Sequence, residues 1–222
     1  MILVVASSLA ELQSITREDY PALVAVSVGV GLVQAAIGTY EAVMYHAPDH
    51  VVGIGTCCGV GIGCDLGDII LPSQVIQYTM DLRRFRLRRG GVFTADGSRT
   101  GFLSVDMLPG WPQQGVQSCE DRSIRDNTRM GSADQFFTPE EMLSAPWIRD
   151  ELALDAIDME SYAMVAASRK AGVPVTIIRT ISDLHDRTRV ASLPAFLTES
   201  SRIIRELILR YSEPREKSPI IL

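Results

Sequence analysis

Short, strongly apolar runs that stop at polar or glycine-rich turns constrain the fold of this chain more than any other feature. The clearest is the continuous run Ile2–Ala6, and Leu23–Val28 and Val175–Ile181 are also mostly apolar and predict further strands. A continuous apolar run is typical of a strand that is buried on both faces, because a strand with one solvent-exposed face alternates apolar and polar residues. A strand covered on both sides needs helices above and below it. The runs therefore favour an α/β fold with a largely parallel sheet.

Helices are predicted between these runs. Behind the turn Gly29-Val30-Gly31, apolar residues recur at helical spacing from Leu32 to Met44, which predicts an amphipathic helix. A second helix is predicted from Glu160 to Lys170, and a closing helix from about residue 195 to 211. The remaining strands are predicted at Val51–Ile54, at Ile69–Leu71, which Pro72 would end, and at Ala153–Ile157.

This alternation predicts a three-layer α/β/α sandwich around a mixed, mainly parallel central sheet. The 222 residues suffice for one large core, and no repeat or linker divides them, so residues 1–222 are expected to form a single domain. Residues 213–222 are expected to be a frayed tail. The segment from about residue 81 to 112, which holds five arginines between Arg83 and Arg89, predicts hairpins and loops.

Charge and hydropathy narrow the class of protein. The formal net charge is −6, which disfavours nucleic acid or an anionic membrane as a partner, and the arginine run is interpreted as a solvated face. No stretch approaches the 18 uninterrupted apolar residues of a membrane span, and the N-terminal apolar run lacks the basic flank of a secretory signal. These features predict a cytoplasmic protein with a small-molecule partner.

The cysteines indicate neither a disulfide framework nor a metal site. Three of the four, Cys57, Cys58 and Cys64, lie in one glycine-rich segment, unlike the spaced pairs of secreted domains. Adjacent cysteines cannot easily reach the same tetrahedral ion, and the three histidines have no ligand-like spacing. Free thiols and no bound metal are therefore predicted.

Common cofactor and nucleophile motifs are incomplete or missing. Gly29-Val30-Gly31 begins like a dinucleotide fingerprint, but Gln34 occupies the position of the third glycine. The sequence contains no P-loop and no Gly-x-Ser-x-Gly elbow. No cofactor is expected, and the glycine turn is interpreted as a link between a strand and a helix.

Carboxylates at strand ends are the most informative candidates for chemistry. Glu11, Glu160 and Asp183 each follow a predicted strand, and ligands of α/β sheets bind at the carboxyl ends of strands. Each acid alone fits a surface or helix-capping role. Together they predict one crevice with several acid or base groups.

Ordered motifs along nearly the whole chain give these residues a family context. On these motifs the chain resembles the nucleoside phosphorylase and nucleosidase superfamily, and within it is most similar to the 5′-methylthioadenosine/S-adenosylhomocysteine nucleosidases. The motifs are Val28-Gly29-Val30-Gly31, Gly55-Thr56-Cys57-Cys58-Gly59, Leu66-Gly67-Asp68-Ile69-Ile70, Ser132-Ala133-Asp134-Gln135-Phe136, Asp158-Met159-Glu160 and Arg179-Thr180-Ile181-Ser182-Asp183.

The resemblance implies a division of labour among the acids. Glu11 would activate the attacking water, and Asp183, held by Ser182, would protonate purine N7. Glu160 would accept hydrogen bonds from the ribose hydroxyls. These roles suit cleavage of an N-glycosidic bond, because positive charge develops on the sugar and negative charge on the departing purine.

The resemblance also implies the walls of the substrate site. Met159 would line the sugar, Phe136 would stack on the base and Phe137 would offer backbone hydrogen bonds to it. The turn of Thr56, Cys57 and Cys58 would lie beside the ribose and the water. A neighbouring subunit completes the 5′ pocket in this family, which implies a homodimer.

The chain departs from the family pattern at several of these positions. The family usually has Ser-Ala-Gly in place of Thr56-Cys57-Cys58, Gly in place of Ala133 and Glu in place of Asp158. The first change adds bulk beside the sugar. It is expected to alter the 5′ pocket or slow the reaction.

The nucleophile and the substrate leave alternatives open. A phosphorolytic enzyme holds a phosphate dianion where the water would sit, and a carboxylate such as Glu11 about 4 Å from each phosphate charge costs roughly 4 kcal/mol at an effective dielectric of 20. Hydrolysis of methylthioadenosine or adenosylhomocysteine is therefore the leading hypothesis. The alternatives are a futalosine-type hydrolase, a purine nucleoside phosphorylase and a nucleoside-binding protein without turnover.

Overall fold

A computed structural model describes residues 1–15, 22–186 and 188–212. The helices of these residues are α1 (Leu32–His46), α2 (Pro139–Leu143), α3 (Trp147–Asp150), α4 (Ser161–Lys170) and α5 (Leu193–Tyr211). The strands are β1 (Ile2–Ala6), β2 (Leu23–Ser27), β3 (His50–Gly59), β4 (Ile69–Gln77), β5 (Val92–Phe93), β6 (Arg99–Thr100), β7 (Leu103–Ser104), β8 (Ser118–Cys119), β9 (Arg122–Ser132), β10 (Ala156–Asp158) and β11 (Val175–Leu184).

The central sheet is mixed, as predicted. Its main strand order is β10-β9-β4-β11-β3-β1-β2. The pairs β1–β2, β1–β3, β3–β11, β4–β9 and β9–β10 are parallel, whereas β4–β11 is antiparallel. Because β10 also pairs antiparallel with β3, this half of the sheet curves round and closes on itself.

Side chains that alternate along the buried strands pack into two separate cores, one on each face of the sheet. Leu3 and Val5 pack with α1 and α4 on one face of the sheet. Ile2 and Val4 pack with α5 on the other. One strand can serve both faces because successive side chains point in opposite directions. This arrangement confirms the three-layer α/β/α sandwich.

The prediction that Pro72 ends its strand is wrong. The strand β4 continues to Gln77, and its pairing with β9 shifts register between Leu71 and Pro72 and again between Pro72 and Gln74. Proline has no backbone N–H to donate, so it is tolerated inside a sheet where the ladder is already irregular.

The strands that build the site are longer than the sequence pattern predicts. The strand β3 runs through Thr56, Cys57 and Cys58 to Gly59, where a turn was predicted, and β11 runs past Ile181 to Leu184. The long strand β9 was not predicted, because its many arginines and other polar residues hide the alternation of a strand. The predicted strand at 153–157 is shorter, beginning only at Ala156.

The segment from 81 to 112 forms the predicted loops and short hairpins, together with a 3₁₀ turn at Arg83–Phe85. Arg84, Arg86 and Arg88 are exposed, in agreement with a solvated face. Arg89 instead lies 3.9 Å from the ring centre of Trp147. Of the helices described, none is both long and apolar enough to cross a membrane. The predicted tail at 213–222 lies outside the described residues.

Candidate active site

A cavity of about 440 Å³ opens where the carboxyl ends of β1, β3 and β11 meet the end of β10. Its volume is within the range of small-molecule sites. Every residue that the sequence predicted for the site lines this one cavity: Glu11, Thr56, Cys57, Cys58, Phe136, Phe137, Met159, Glu160, Ser182 and Asp183.

Glu11 is held at one side of the cavity by neighbouring donors. It ends a 3₁₀ turn that follows β1 directly. Ser7 Oγ donates to Glu11 Oε2 at 2.6 Å, Ser8 N donates to the same oxygen at 3.2 Å, and Thr56 N donates to Oε1 at 3.2 Å. A carboxylate accepts several such bonds at once, and together they fix its direction. The carboxylate is therefore held in one orientation at the cavity wall.

Arg179 and Asp158 form a buried ion pair at the floor of the site, with Arg179 Nε 2.8 Å from Asp158 Oδ2. Burial alone would lower the pKa of Arg179, but the carboxylates of Asp158, Glu160 and Glu11 raise it above its ordinary value. Gly55 leaves room for this approach, because a Cβ there would lie 2.6 Å from Glu11 Oε1 and closer still to Arg179. Among the residues that the structure describes, the floor thus holds one cation surrounded by several carboxylates.

Glu160 is buried at the start of α4, where only 7% of it is exposed. Gly31 N, at the start of α1, donates to Glu160 Oε1 at 3.0 Å. Burial raises the pKa of Glu160 to about 7, and the charge of Asp158 acts in the same direction, whereas Arg179 and the Gly31 N–H oppose the rise. This carboxyl group therefore changes its charge near neutral pH.

Asp183 reaches the cavity through an irregularity in β11. The parallel pairing with β3 shifts between Ile181 and Asp183, so that Asp183 rather than Ser182 is in register with Cys58. Ser182 Oγ donates to Asp183 Oδ1 at 2.7 Å. The bulge and this hydrogen bond hold a carboxyl group at the cavity wall.

The two adjacent thiols of the cavity are free, as predicted. Burial raises the pKa of both Cys57 and Cys58, and the nearby Asp183 carboxylate raises that of Cys58 further. Both are therefore neutral thiols rather than nucleophilic thiolates. Within the described residues, no group of three or more His, Cys, Asp or Glu side chains is arranged to hold a metal ion.

Apolar side chains form the opposite wall and the rim. Phe136 is 73% exposed, and its ring is free to cover a planar ligand. Phe137 is half-buried and packs against Tyr78, with ring centres 5.7 Å apart. Val30 and Leu193 line the mouth of the cavity and are also exposed. The site therefore combines an acidic floor with an apolar entrance.

Several charged or titratable residues of the site have no role assigned from the sequence, among them Arg179 and its partner Asp158. Arg179 had left a signal, because it is the only charged residue in the apolar run Val175–Ile181 and a buried charge needs a partner. His185 and Arg189 line the cavity just beyond Asp183. Their position in the loop that follows a predicted strand end is the sequence feature that could have identified them.

Comparisons with known proteins agree with this fold. The family model described as the phosphorylase superfamily matches residues 16–213. A 5′-methylthioadenosine/S-adenosylhomocysteine nucleosidase of Actinobacillus succinogenes is 28% identical over 181 residues, which are 82% of this chain and 76% of the relative.

Solved structures share the architecture at lower identity. The 5′-methylthioadenosine/S-adenosylhomocysteine nucleosidase of Neisseria meningitidis, in complex with methylthio-immucillin-A, has a TM-score of 0.77 at 19% identity and covers 94% of this chain and 98% of its own. A futalosine hydrolase mutant of Helicobacter pylori has a TM-score of 0.74 at 17% identity, with coverage of 95% and 97%. These likenesses establish the fold.

Proposed function

The chain belongs to the phosphorylase superfamily, and we propose that within it the protein is a purine nucleosidase that hydrolyses the N-glycosidic bond of methylthioadenosine, adenosylhomocysteine or a close relative. One observation carries the proposal: Glu11, Glu160 and Asp183, from three separate parts of the chain, line a single nucleoside-sized cavity.

Asp183 is the acid of the proposed reaction. It donates its proton to purine N7 as the bond between C1′ and N9 breaks, so the bonding electron pair leaves on a neutral base. The hydroxyl of Ser182, which donates to Asp183 Oδ1, keeps the carboxyl group in place. Phe136 covers the base, and the backbone of Phe137 binds its edge.

Glu11 is the base. It orients a water molecule and takes a proton from it while the water oxygen bonds to C1′. The donors from Ser7, Ser8 and Thr56 support this role because they hold the carboxylate in one orientation. A phosphate dianion in the same place would face this carboxylate, which supports hydrolysis over phosphorolysis.

Glu160 binds the ribose. As a carboxylate it accepts hydrogen bonds from the 2′ and 3′ hydroxyls and brings negative charge near the developing sugar cation. Met159 and the segment of Thr56, Cys57 and Cys58 line the sugar. Because burial raises the pKa of Glu160 to about 7, substrate hydroxyls that bind the ionised form would stabilise that form on binding.

The apolar entrance supports a thioether substituent at the 5′ position. Val30, Phe136 and Leu193 provide apolar surface for it. A futalosine-type hydrolase is the second candidate. It is favoured by the similarity of its fold, which is nearly as great as that of the methylthioadenosine enzymes.

A homodimer is part of the proposal. Exposed apolar residues follow one side of α1 with spacings of four, three and four residues, which puts them on one helix face. A stripe of this kind suits an interface between two copies. It consists of Val33, Ile37, Tyr40 and Met44.

Product analysis tests the reaction and the substrate together. The purified protein is incubated with methylthioadenosine, adenosylhomocysteine, futalosine and inosine, each with and without phosphate. We expect release of adenine and the free 5-thioribose from the first two at rates independent of phosphate. Formation of ribose 1-phosphate would overturn hydrolysis, and preferential cleavage of futalosine would favour the second candidate. Binding without release of any base would favour a nucleoside-binding protein.

A further inference from the structure

The chain folds back on β11 just beyond Asp183. Leu184 N donates to Thr188 O at 2.7 Å, and Val190 N donates to Ser182 O at 2.9 Å. Between these two bonds, Asp183 and Arg189 form an isolated antiparallel bridge. The returning segment is therefore a short strand partner for the end of β11.

The hydrogen-bond pattern determines the face of the strand pair from which the Arg189 side chain projects. The two bonds flank the Asp183–Arg189 pair, and neither residue of the pair contributes its own N–H or C=O to them, so this is a non-hydrogen-bonded pair. In such a pair the Cα atoms are about 4.5 Å apart and both side chains leave the same face. Arg189 accordingly lines the same cavity as Asp183.

Arg189 is exposed and makes no ion pair with the described residues, although its cross-strand neighbour is a carboxylate. Other arginines near acids are engaged, such as Arg179 with Asp158 and Arg202 with Glu120. A long cationic side chain at the wall of a largely acidic cavity, beside the proposed acid, is placed to reach a ligand.

We infer that Arg189 is a second leaving-group residue, whose guanidinium lies against the departing purine and offsets the negative charge that forms on it. The inference rests on the proposed nucleosidase reaction. In that reaction the C1′–N9 bond breaks and its electron pair goes to the purine, Asp183 transfers one proton to N7, and water supplies the oxygen to C1′ and a proton to Glu11. Arg189 exchanges no atoms or protons.

A cation is useful here because cleavage of the C1′–N9 bond and proton transfer to N7 need not occur at the same time. Whenever the C1′–N9 bond is broken ahead of the proton transfer, the purine carries negative charge. A positive group placed beside the base stabilises such charge where it forms. Arg189 contributes least when the base is already a stable anion, and most when the base is electron-rich.

A leaving-group series tests this dependence. The 5′-methylthio nucleosides of adenine, 2-fluoroadenine and 6-chloropurine are hydrolysed by the wild type, Arg189→Gln and Arg189→Lys. We expect Arg189→Gln to lower kcat for the adenine nucleoside about 10- to 100-fold and that for the 6-chloropurine nucleoside less than threefold, with little change in KM. Arg189→Lys should retain most of the activity, because it keeps the charge.

A matched control separates this effect from a general loss of charge. Arg84 is also exposed but lies outside the cavity, and Arg84→Gln should leave all three rates unchanged. Thermal melting checks that each variant folds. An equal loss across the series, or no loss, in the folded Arg189→Gln variant would overturn the inference and leave the proposed function intact. Failure of the wild type to cleave any nucleoside would overturn the proposed function, and the inference with it.

Discussion

Asp183 has three neighbours of different chemistry: the hydroxyl of Ser182, the thiol of Cys58 and the cross-strand Arg189. Ser182 gives the carboxyl group one direct hydrogen bond. Cys58, on the neighbouring strand β3, interacts with the carboxyl group through a side-chain hydrogen bond of its neutral thiol. In the proposed reaction these neighbours hold Asp183 where it passes its proton to the base.

Asp183→Asn is expected to lower kcat by about 10² to 10⁴, because the amide has a similar shape but no acidic proton. KM should change little, since the shape of the cavity is kept. Steady-state kinetics with methylthioadenosine measure both quantities. Asp121→Asn is a suitable control, because the Asp121 side chain is 88% exposed. Unchanged turnover in Asp183→Asn would refute the assigned acid.

At the scale of single residues, the sequence predicted the residues that line the cavity better than the ion pair at its floor. The predicted residues lie in short motifs at strand ends, and a local motif is visible in the sequence. The pairing of Arg179 with Asp158 is not local, because it joins β11 to β10 across the end of the fold. The effect of Gly55 is hidden for the same reason, since it depends on two side chains that converge on the glycine.

Among the elements, the buried strands were predictable and the irregular ones were not. The runs of β1 and β11 are apolar because both faces are covered, and this composition is readable. The passage of β4 through Pro72 and the bulge before Asp183 depend on the register of partner strands, which no local pattern reveals. The bulge matters for function, because it determines which residue faces the cavity.

Helix α1 connects the proposed dimer face to the site. Gly31 N, at its start, donates to Glu160, while Val33, Ile37, Tyr40 and Met44 form its exposed apolar stripe. A partner that holds this helix would also hold the donor to Glu160. Dimer formation and ribose binding are therefore expected to be coupled through one element.

The double substitution Val33→Asp with Ile37→Asp is expected to give a folded monomer, because it places two charges in an interface that excludes water. Size-exclusion chromatography with light scattering measures the mass, and circular dichroism checks the fold. Turnover of methylthioadenosine should fall together with the dimer fraction. Lys170→Asp, an exposed change on α4, should remain dimeric. A wild-type protein that is monomeric at all concentrations would contradict the proposed interface.

For the molecule as a whole, the site is a source of instability as well as of activity. Asp158 and Glu160 are both buried; within the described part of the chain Arg179 is ion-paired with Asp158, and its charge also acts on Glu160. Two carboxylates therefore share one opposite charge in a region with little water.

The substitution Glu160→Gln should stabilise the protein at high pH. The pKa of Glu160 is about 7 in the folded state against 4.5 for an ordinary glutamate, so the folded state binds this proton more tightly. Its contribution to stability is complete below about pH 4.5 and is lost as pH rises through about 7. A glutamine amide does not titrate, so the free energy of unfolding of the variant should rise relative to that of the wild type over this pH range. The difference is expected to reach on the order of 1–3 kcal/mol at pH 8.

Urea unfolding of the wild type and Glu160→Gln from pH 5 to pH 8 measures this gain as the difference in free energy of unfolding between the two proteins. A stability difference that is constant across the range would show that Glu160 does not titrate in this window. Turnover of the variant should be lost at every pH, because the carboxylate that accepts the ribose hydroxyls is gone. The same side chain would then be shown to lower stability and to support activity, as expected of a buried acid that is retained for its chemistry.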